Sequence, residues 1–316
     1  MSSPIKSSLA RRDQTLGWAA LPPEYAIPEL PPSLEQARAY CERLAKSHYE
    51  NFSVATWFLP RKLRPHFYSI YAYCRISDDL GDEVGDPEQS LALLDAWEEE
   101  LNACYAGNPR HSVFVALRPT IEECGIPQST FADLLTAFRQ DQTVTRYPTF
   151  DDLLGYCVNS ANPVGRLVLY ACGYSDSERQ QLSDFTCTAL QLGNFWQDVV
   201  LDYGKGRIYL PGEDLERYGV RETDIAERRF SPQFRELMKF EVTRARDWFQ
   251  RGRPLIGMVD RELAIDIELF SRGGEQILNS IERQDYNVLR ARPLISKPRK
   301  LALVAGAALK LLRSSP

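Results

Sequence analysis

Along most of this chain of 316 residues, apolar positions recur three and four apart, and no segment sustains strict alternation. That period predicts helices at roughly 33–47, 63–83, 88–106, 111–124, 128–142, 150–172, 176–202, 232–258, 260–282 and 298–313. Start signals support several of them. Ser33 with Gln36 forms a capping-box pattern, and Thr149 with Asp152 and Ser175 with Glu178 repeat the Ser/Thr-x-x-acid spacing. Pro232 after Ser231 suits a first helical turn. Asp86-Pro87 and Asn108-Pro109 read as breaks. The expectation is a single all-α domain over 33–316, with about ten helices and no repeat of fixed length. A flexible arm over 1–32, rich in Pro and Ser, precedes it.

Bulk properties narrow the function classes. The net charge of −5 gives no reason to expect nucleic acid as a partner. Seven cysteines stand at 41, 74, 104, 124, 157, 172 and 187, an odd number with no C-x-x-C pair. That argues against a disulfide framework and a zinc site, and for reduced thiols in the cytoplasm. The N-terminus has no continuous apolar core of a signal peptide. No apolar run reaches the ~20 residues that span a bilayer. The run "LALVAGAALKLL", Leu301 to Leu312, lies among Lys297, Arg299, Lys300 and Arg313. It reads as a closing core helix, or as an interfacial helix with basic residues toward headgroups. A cytoplasmic protein with peripheral contact at the inner face of a membrane is the matching expectation.

The chemistry is concentrated in two acidic ladders. "CRISDDLGDEVGD" follows an aromatic run and places Asp78 and Asp82 four apart, one turn above each other on a helix face. Asp79 and Glu83 form a second pair rotated by one residue. Like charges at this spacing cost a few tenths of a kcal/mol per pair, which a cation reverses. Gly81 either weakens this helix locally or ends it after the pair. "LQLGNFWQDVVLDYGKGRIYLP" repeats the arrangement with Asp198 and Asp202. One such pair is ordinarily a solvated face; two of them, both embedded in apolar helix, are not. An EF-hand loop counted from Asp78 fails, because its sixth position is Glu83 and its twelfth Gln89. Aspartates on two facing helices suit Mg²⁺ held jointly by carboxylates and a diphosphate. Ionisation of a prenyl diphosphate needs this: metal and Arg or Lys neutralise the leaving oxygens, and an aromatic-lined cavity shelters the carbocation.

"YAYCRISDDLGDE", "NFWQDVVLDYGKGRIYLP" and "HYENFSVATWFLP" resemble the corresponding segments of the head-to-head trans-isoprenyl diphosphate synthases, the squalene and phytoene synthase family. The resemblance covers roughly residues 40 to 300. It implies an all-α bundle around a central cavity, Mg²⁺ dependence with Mn²⁺ as a substitute, and a C15 or C30 prenyl diphosphate substrate. Position by position, it implies that Asp78, Asp82, Asp198 and Asp202 hold Mg²⁺–diphosphate and that Arg75 touches diphosphate. His48 opens the first segment. Phe52, Tyr71, Gln191 and Asn194 would line the channel, and Arg207, Arg290, Arg292 and Lys297 would contact phosphate. "ENFSVATWFLP", "NFWQD" and "NSANPVGRL" are most similar to the hydroxysqualene synthase branch of bacterial hopanoid pathways. Two departures from carotenoid-forming relatives point the same way: Gln197 stands where many have Arg, and Gly273 or Gly274 where they have Tyr. The branch implies conversion of presqualene diphosphate to hydroxysqualene without NADPH, with Gln197 and Asn194 as candidates to order the attacking water. Condensation of two farnesyl diphosphates, to presqualene diphosphate, squalene or a phytoene-type product, is the alternative within the family. A helical scaffold without catalysis is the alternative outside it.

Overall fold

The computed structural model describes residue 18, residues 21–47 and residues 60–312, the last six without their side chains. Helices are the only regular secondary structure there, and a single isolated bridge joins Arg146 and Ile208. The chain divides into two compact units: residues 1–53 with 61–143, and residues 54–60 with 144–316.

The first unit contains α1 (Leu34–Ser47), α2 (Arg64–Asp82), α3 (Pro87–Tyr105), α4 (Ser112–Cys124) and α5 (Gln128–Gln140). Helix α2 is central and packs against the other four. Its inner face buries Tyr73, Ile76 and Leu80. Tyr73 meets Phe131 edge-on at 4.9 Å and gives its hydroxyl to the Phe131 carbonyl at 2.9 Å, so the ring is buried without an orphan donor. Trp97 of α3 does the same, packing on Phe114 and donating Nε1–H to Ser77 at 3.0 Å. His111 caps α4: its Nδ1 accepts from the Val113 amide at 3.2 Å. The ring proton therefore sits on Nε2, which faces the Glu24 carbonyl at 3.1 Å. Burial lowers the pKa of this imidazole to about 4, consistent with a neutral structural residue.

The second unit contains α6 (Phe150–Ser160), α7 (Asn162–Ala171), α8 (Ser177–Gly204), α9 (Gly212–Tyr218), α10 (Glu222–Ala226), α11 (Pro232–Gly252), α12 (Arg261–Arg283) and α13 (Lys297–Leu312). The 28-residue α8 is the axis, in contact with α6, α7, α10, α11 and α12. Two glycines let helices approach. A Cβ on Gly252 would stand 2.9 Å from the Leu182 carbonyl, and one on Gly274 would stand 2.4 Å from the Phe249 ring. Tyr147, Tyr156, Phe195 and Tyr209 form one ring stack, with Phe195 and Tyr209 parallel at 3.8 Å.

Most predicted helices appear within a few residues of their expected ends. The differences have local causes. The helix expected over 150–172 is two helices meeting at Ala161, because Pro163 supplies no amide to continue the first ladder. The one expected over 232–258 ends at Gly252 and passes into a 3₁₀ turn, Arg253–Gly257, carrying Pro254. The stretch between 203 and 231, given no helix, holds the short α9 and α10. The Ser33–Gln36 and Thr149–Asp152 boxes form with both reciprocal bonds, and Ser231 caps α11. The cap before α8 is Asp176 rather than Ser175: its carboxylate accepts from the Arg179 amide at 3.0 Å. Within the stretch expected to be a flexible arm, Tyr25 is 3 % exposed and docked on α2.

Candidate active site

In the first unit, the chemistry sits on the last two turns of α2. The 3.6-residue period separates adjacent aspartates by about 100°, and that rotation gives them different work. Asp79 turns inward and is 5 % exposed. It accepts the Tyr25 hydroxyl at 2.6 Å and both Nε, at 3.1 Å, and Nη2 of Arg75. Burial, then the bond to Asp79, push the Tyr25 phenol above its ordinary range. Asp78 turns outward, with its side chain 49 % exposed, and lies 3.5 Å from Arg75 Nη1. Asp82 is exposed at the helix end. The helix ends just after the pair, one of the two outcomes expected of Gly81: α2 runs through Asp82 and is capped by Glu83. The Gly81 carbonyl instead accepts from Gln142 Nε2 at 2.9 Å. Arg75 is thus placed between the buried acid and the outward one. Tyr71, one turn earlier, is half-buried, and burial raises its pKa. His48 and Phe52 lie outside the described residues.

In the second unit, Asp198 and Asp202 occupy the last turns of α8. The Arg292 guanidinium grips Asp198 in a bidentate pair at 2.5 and 2.9 Å. The adjoining Pro293 carbonyl accepts from Gln197 Nε2. The segment 292–293 is therefore tied to α8 at two consecutive residues. Asp202 has its pKa raised to about 7, chiefly by burial and then by the charge on Asp198, while Lys205, Arg207 and Arg292 oppose the shift. Gln191 is half-buried and Asn194 exposed. Gln197 is 6 % exposed, with its amide nitrogen engaged by the Pro293 carbonyl. Arg290 and Lys297 are exposed on either side of this segment, and it is Arg292 that pairs with the ladder.

Among the described residues, no group of three or more His, Cys, Asp or Glu converges on one point. Each ladder offers a pair of hard carboxylates and no soft ligand. That donor set fits Mg²⁺ completed by substrate oxygens and water, and it does not fit zinc. Residue reading missed three features here. Tyr25 carried no local signal, since its partner lies 54 positions away. The pairing of Arg292 with Asp198 was not foreseen, because the two lie 94 positions apart. Asp266 of α12 is 3 % exposed with neither oxygen hydrogen-bonded, and burial raises its pKa to about 8. An acid at helical spacing among Leu263, Ile267 and Phe270 was the available signal.

The described residues thus carry two D-x-x-x-D faces on helices, each with an arginine paired to an acid beside it. The squalene/phytoene synthase family model matches residues 45–299. The chain is 33 % identical over 247 residues to a hydroxysqualene synthase of Rhodopseudomonas palustris, covering 77 % of this chain and 83 % of that protein. It is 30 % identical over 290 residues to a 15-cis-phytoene synthase of Synechococcus elongatus, covering 88 % and 94 %. Among solved structures, it is similar to the squalene synthase HpnC from Alicyclobacillus acidocaldarius, with a TM-score of 0.77, 47 % identity and coverage of 86 % and 99 %. It is also similar to a ligand-bound dehydrosqualene synthase, with a TM-score of 0.79, 26 % identity and coverage of 89 % and 98 %. The chain belongs to the squalene/phytoene synthase family and is a prenyl diphosphate enzyme.

Proposed function

We propose that the protein converts presqualene diphosphate and water to hydroxysqualene and diphosphate. The observation that carries this reading is its similarity to the hydroxysqualene synthase, and the 47 % identity to the squalene synthase HpnC supports a C30 substrate. The carbon–oxygen bond to diphosphate breaks and the electron pair leaves with the diphosphate. The cyclopropylcarbinyl cation rearranges, and water adds to it and sheds a proton to solvent. Asp78, Asp82, Asp198 and Asp202 would hold Mg²⁺, which neutralises the leaving oxygens when bound. Arg75 presents its guanidinium beside Asp78 and remains oriented by Asp79. Arg292 exchanges Asp198 for diphosphate oxygens, with Arg207, Arg290 and Lys297 adding positive charge. Gln197, held through its amide nitrogen, offers its oxygen to the attacking water. No NADPH is consumed, because the cation is captured rather than reduced. The exposed Leu294 and Leu301 beside Lys297, Arg299 and Lys300 support peripheral membrane contact. No helix among the described residues is long and apolar enough to cross a membrane.

Condensation of farnesyl or longer prenyl diphosphates is favoured by one observation, the similarity to phytoene synthases over most of the chain. Supplying presqualene, farnesyl and geranylgeranyl diphosphates separately, with and without NADPH, and identifying the lipid decides between them. Hydroxysqualene formed from presqualene diphosphate without NADPH is the expected result. Consumption of the shorter diphosphates alone would replace it with the condensing reaction.

A further inference from the structure

A second basic site lies in the first unit, at the opposite end of α2 from the aspartates. Arg38, Cys41, Glu42 and Lys46 of α1, Arg61 of the 3₁₀ turn Arg61–Leu63, and Arg64, Pro65 and Tyr68 of α2 line a cavity of about 390 Å³, closed on one side by Ala116 of α4. Four cations therefore meet one carboxylate. That carboxylate, Glu42, is taken by Lys46 at 2.6 Å. Among the described residues, Arg38, Arg61 and Arg64 have no acid within ion-pair distance, and the buried Nε of Arg64 has no hydrogen-bond partner. Elsewhere in this unit, Arg75, Arg110, Arg118 and Arg139 each bond a carboxylate, and Arg43 lies over the Tyr40 ring. Concentrating unmatched guanidinium groups around a concavity costs mutual repulsion, which an anion reverses. Planar guanidinium forks match phosphate oxygens, and the Tyr68, Pro65 and Ala116 wall accepts an apolar or ring-bearing remainder. Helical rise puts Arg64 about 20 Å from Asp78, so this is not the ladder site.

We propose that this cavity binds a phosphate-bearing anion, either a free phosphate compound or the headgroup of an anionic phospholipid. The test uses the full chain in EDTA, which removes metal-dependent diphosphate binding at the aspartates. Calorimetry with inorganic phosphate and with pyrophosphate probes the free ligand. Co-sedimentation with phosphatidylglycerol vesicles, against phosphatidylcholine vesicles, probes the headgroup. Wild type should bind at least one of these probes. The Arg61→Gln/Arg64→Gln double variant should bind it at least about tenfold more weakly, as expected for loss of charge-assisted hydrogen bonds. Arg61→Lys/Arg64→Lys should keep most of the affinity, and the melting temperatures without ligand show that both variants fold. Binding of soluble anions alone assigns a free phosphate ligand, and binding of anionic vesicles alone assigns a headgroup. Failure of wild type to bind any probe, or undiminished binding by the glutamine variant, would overturn the site.

Discussion

The two acid ladders share a spacing and differ in where their positive charge comes from. On α2 the arginine is four residues from its acid, on the same helix, and the pair is sealed by Tyr25. On α8 the arginine comes from 94 positions away and remains 47 % exposed, and the acid it holds keeps a side chain 20 % open to solvent. The first arrangement is a fixed part of the core. The second is a more exposed pair, which the proposed function has substrate exchange. Identical sequence spacing therefore carries one local, buried pair and one long-range, exposed pair, which the proposed function reads as anchored and releasable.

Removing the first acid of either ladder should have the largest effect. Asp78→Ala and Asp198→Ala are each expected to lower Mg²⁺-dependent diphosphate release by on the order of 100-fold or more, read in a coupled phosphate assay. If only one of them matters, the two ladders do not act on one leaving group.

Replacing the arginines tests anchored against releasable. Arg75→Leu leaves Asp79 buried without its cation and should cost about 3–5 kcal/mol in denaturant unfolding. Arg292→Leu breaks a more exposed pair and should cost about 0–1 kcal/mol while still impairing turnover. Equal losses of stability would erase the distinction. Tyr25→Phe, which removes one neutral donor from Asp79, falls between them at roughly 1.5–3 kcal/mol.

Acidity separates the ladders next. With its pKa near 7 in the folded chain and an ordinary value when unfolded, Asp202 favours folding most at low pH, and this contribution is lost as pH rises from about 4 to 7. Metal needs the ionised form. Apparent Mg²⁺ affinity at this ladder should therefore climb about tenfold per pH unit up to 7 and then level off. Calorimetry in buffers of different ionisation heat should register the released proton, and a flat profile would contradict it. The smallest expected effect is that of Gln197→Leu: slower formation of the alcohol with diphosphate release largely kept. Unchanged product and rate would remove Gln197 from the chemistry.

Helix positions, the capping boxes at Ser33 and Thr149 and the D-x-x-x-D faces were legible in the residues because each depends on neighbours within four positions. The split at Pro163 was equally local and was missed, and the cap at Asp176 was placed one residue early at Ser175. The match to the squalene/phytoene synthase family was also carried by contiguous segments.

Other properties depend on packing between distant segments, and no local period reports that. Tertiary structure made Asp79 a buried anchor and Asp78 an outward ligand candidate, by laying Tyr25 over one and not the other. It brought Arg292 to Asp198, raised the pKa of Asp202 by withdrawing it from water, and gathered Arg38, Arg61 and Arg64 around one hollow. Helical geometry fixes which residues share a face; what that face meets is set by the long-range fold, and charge, burial and acidity follow from the meeting.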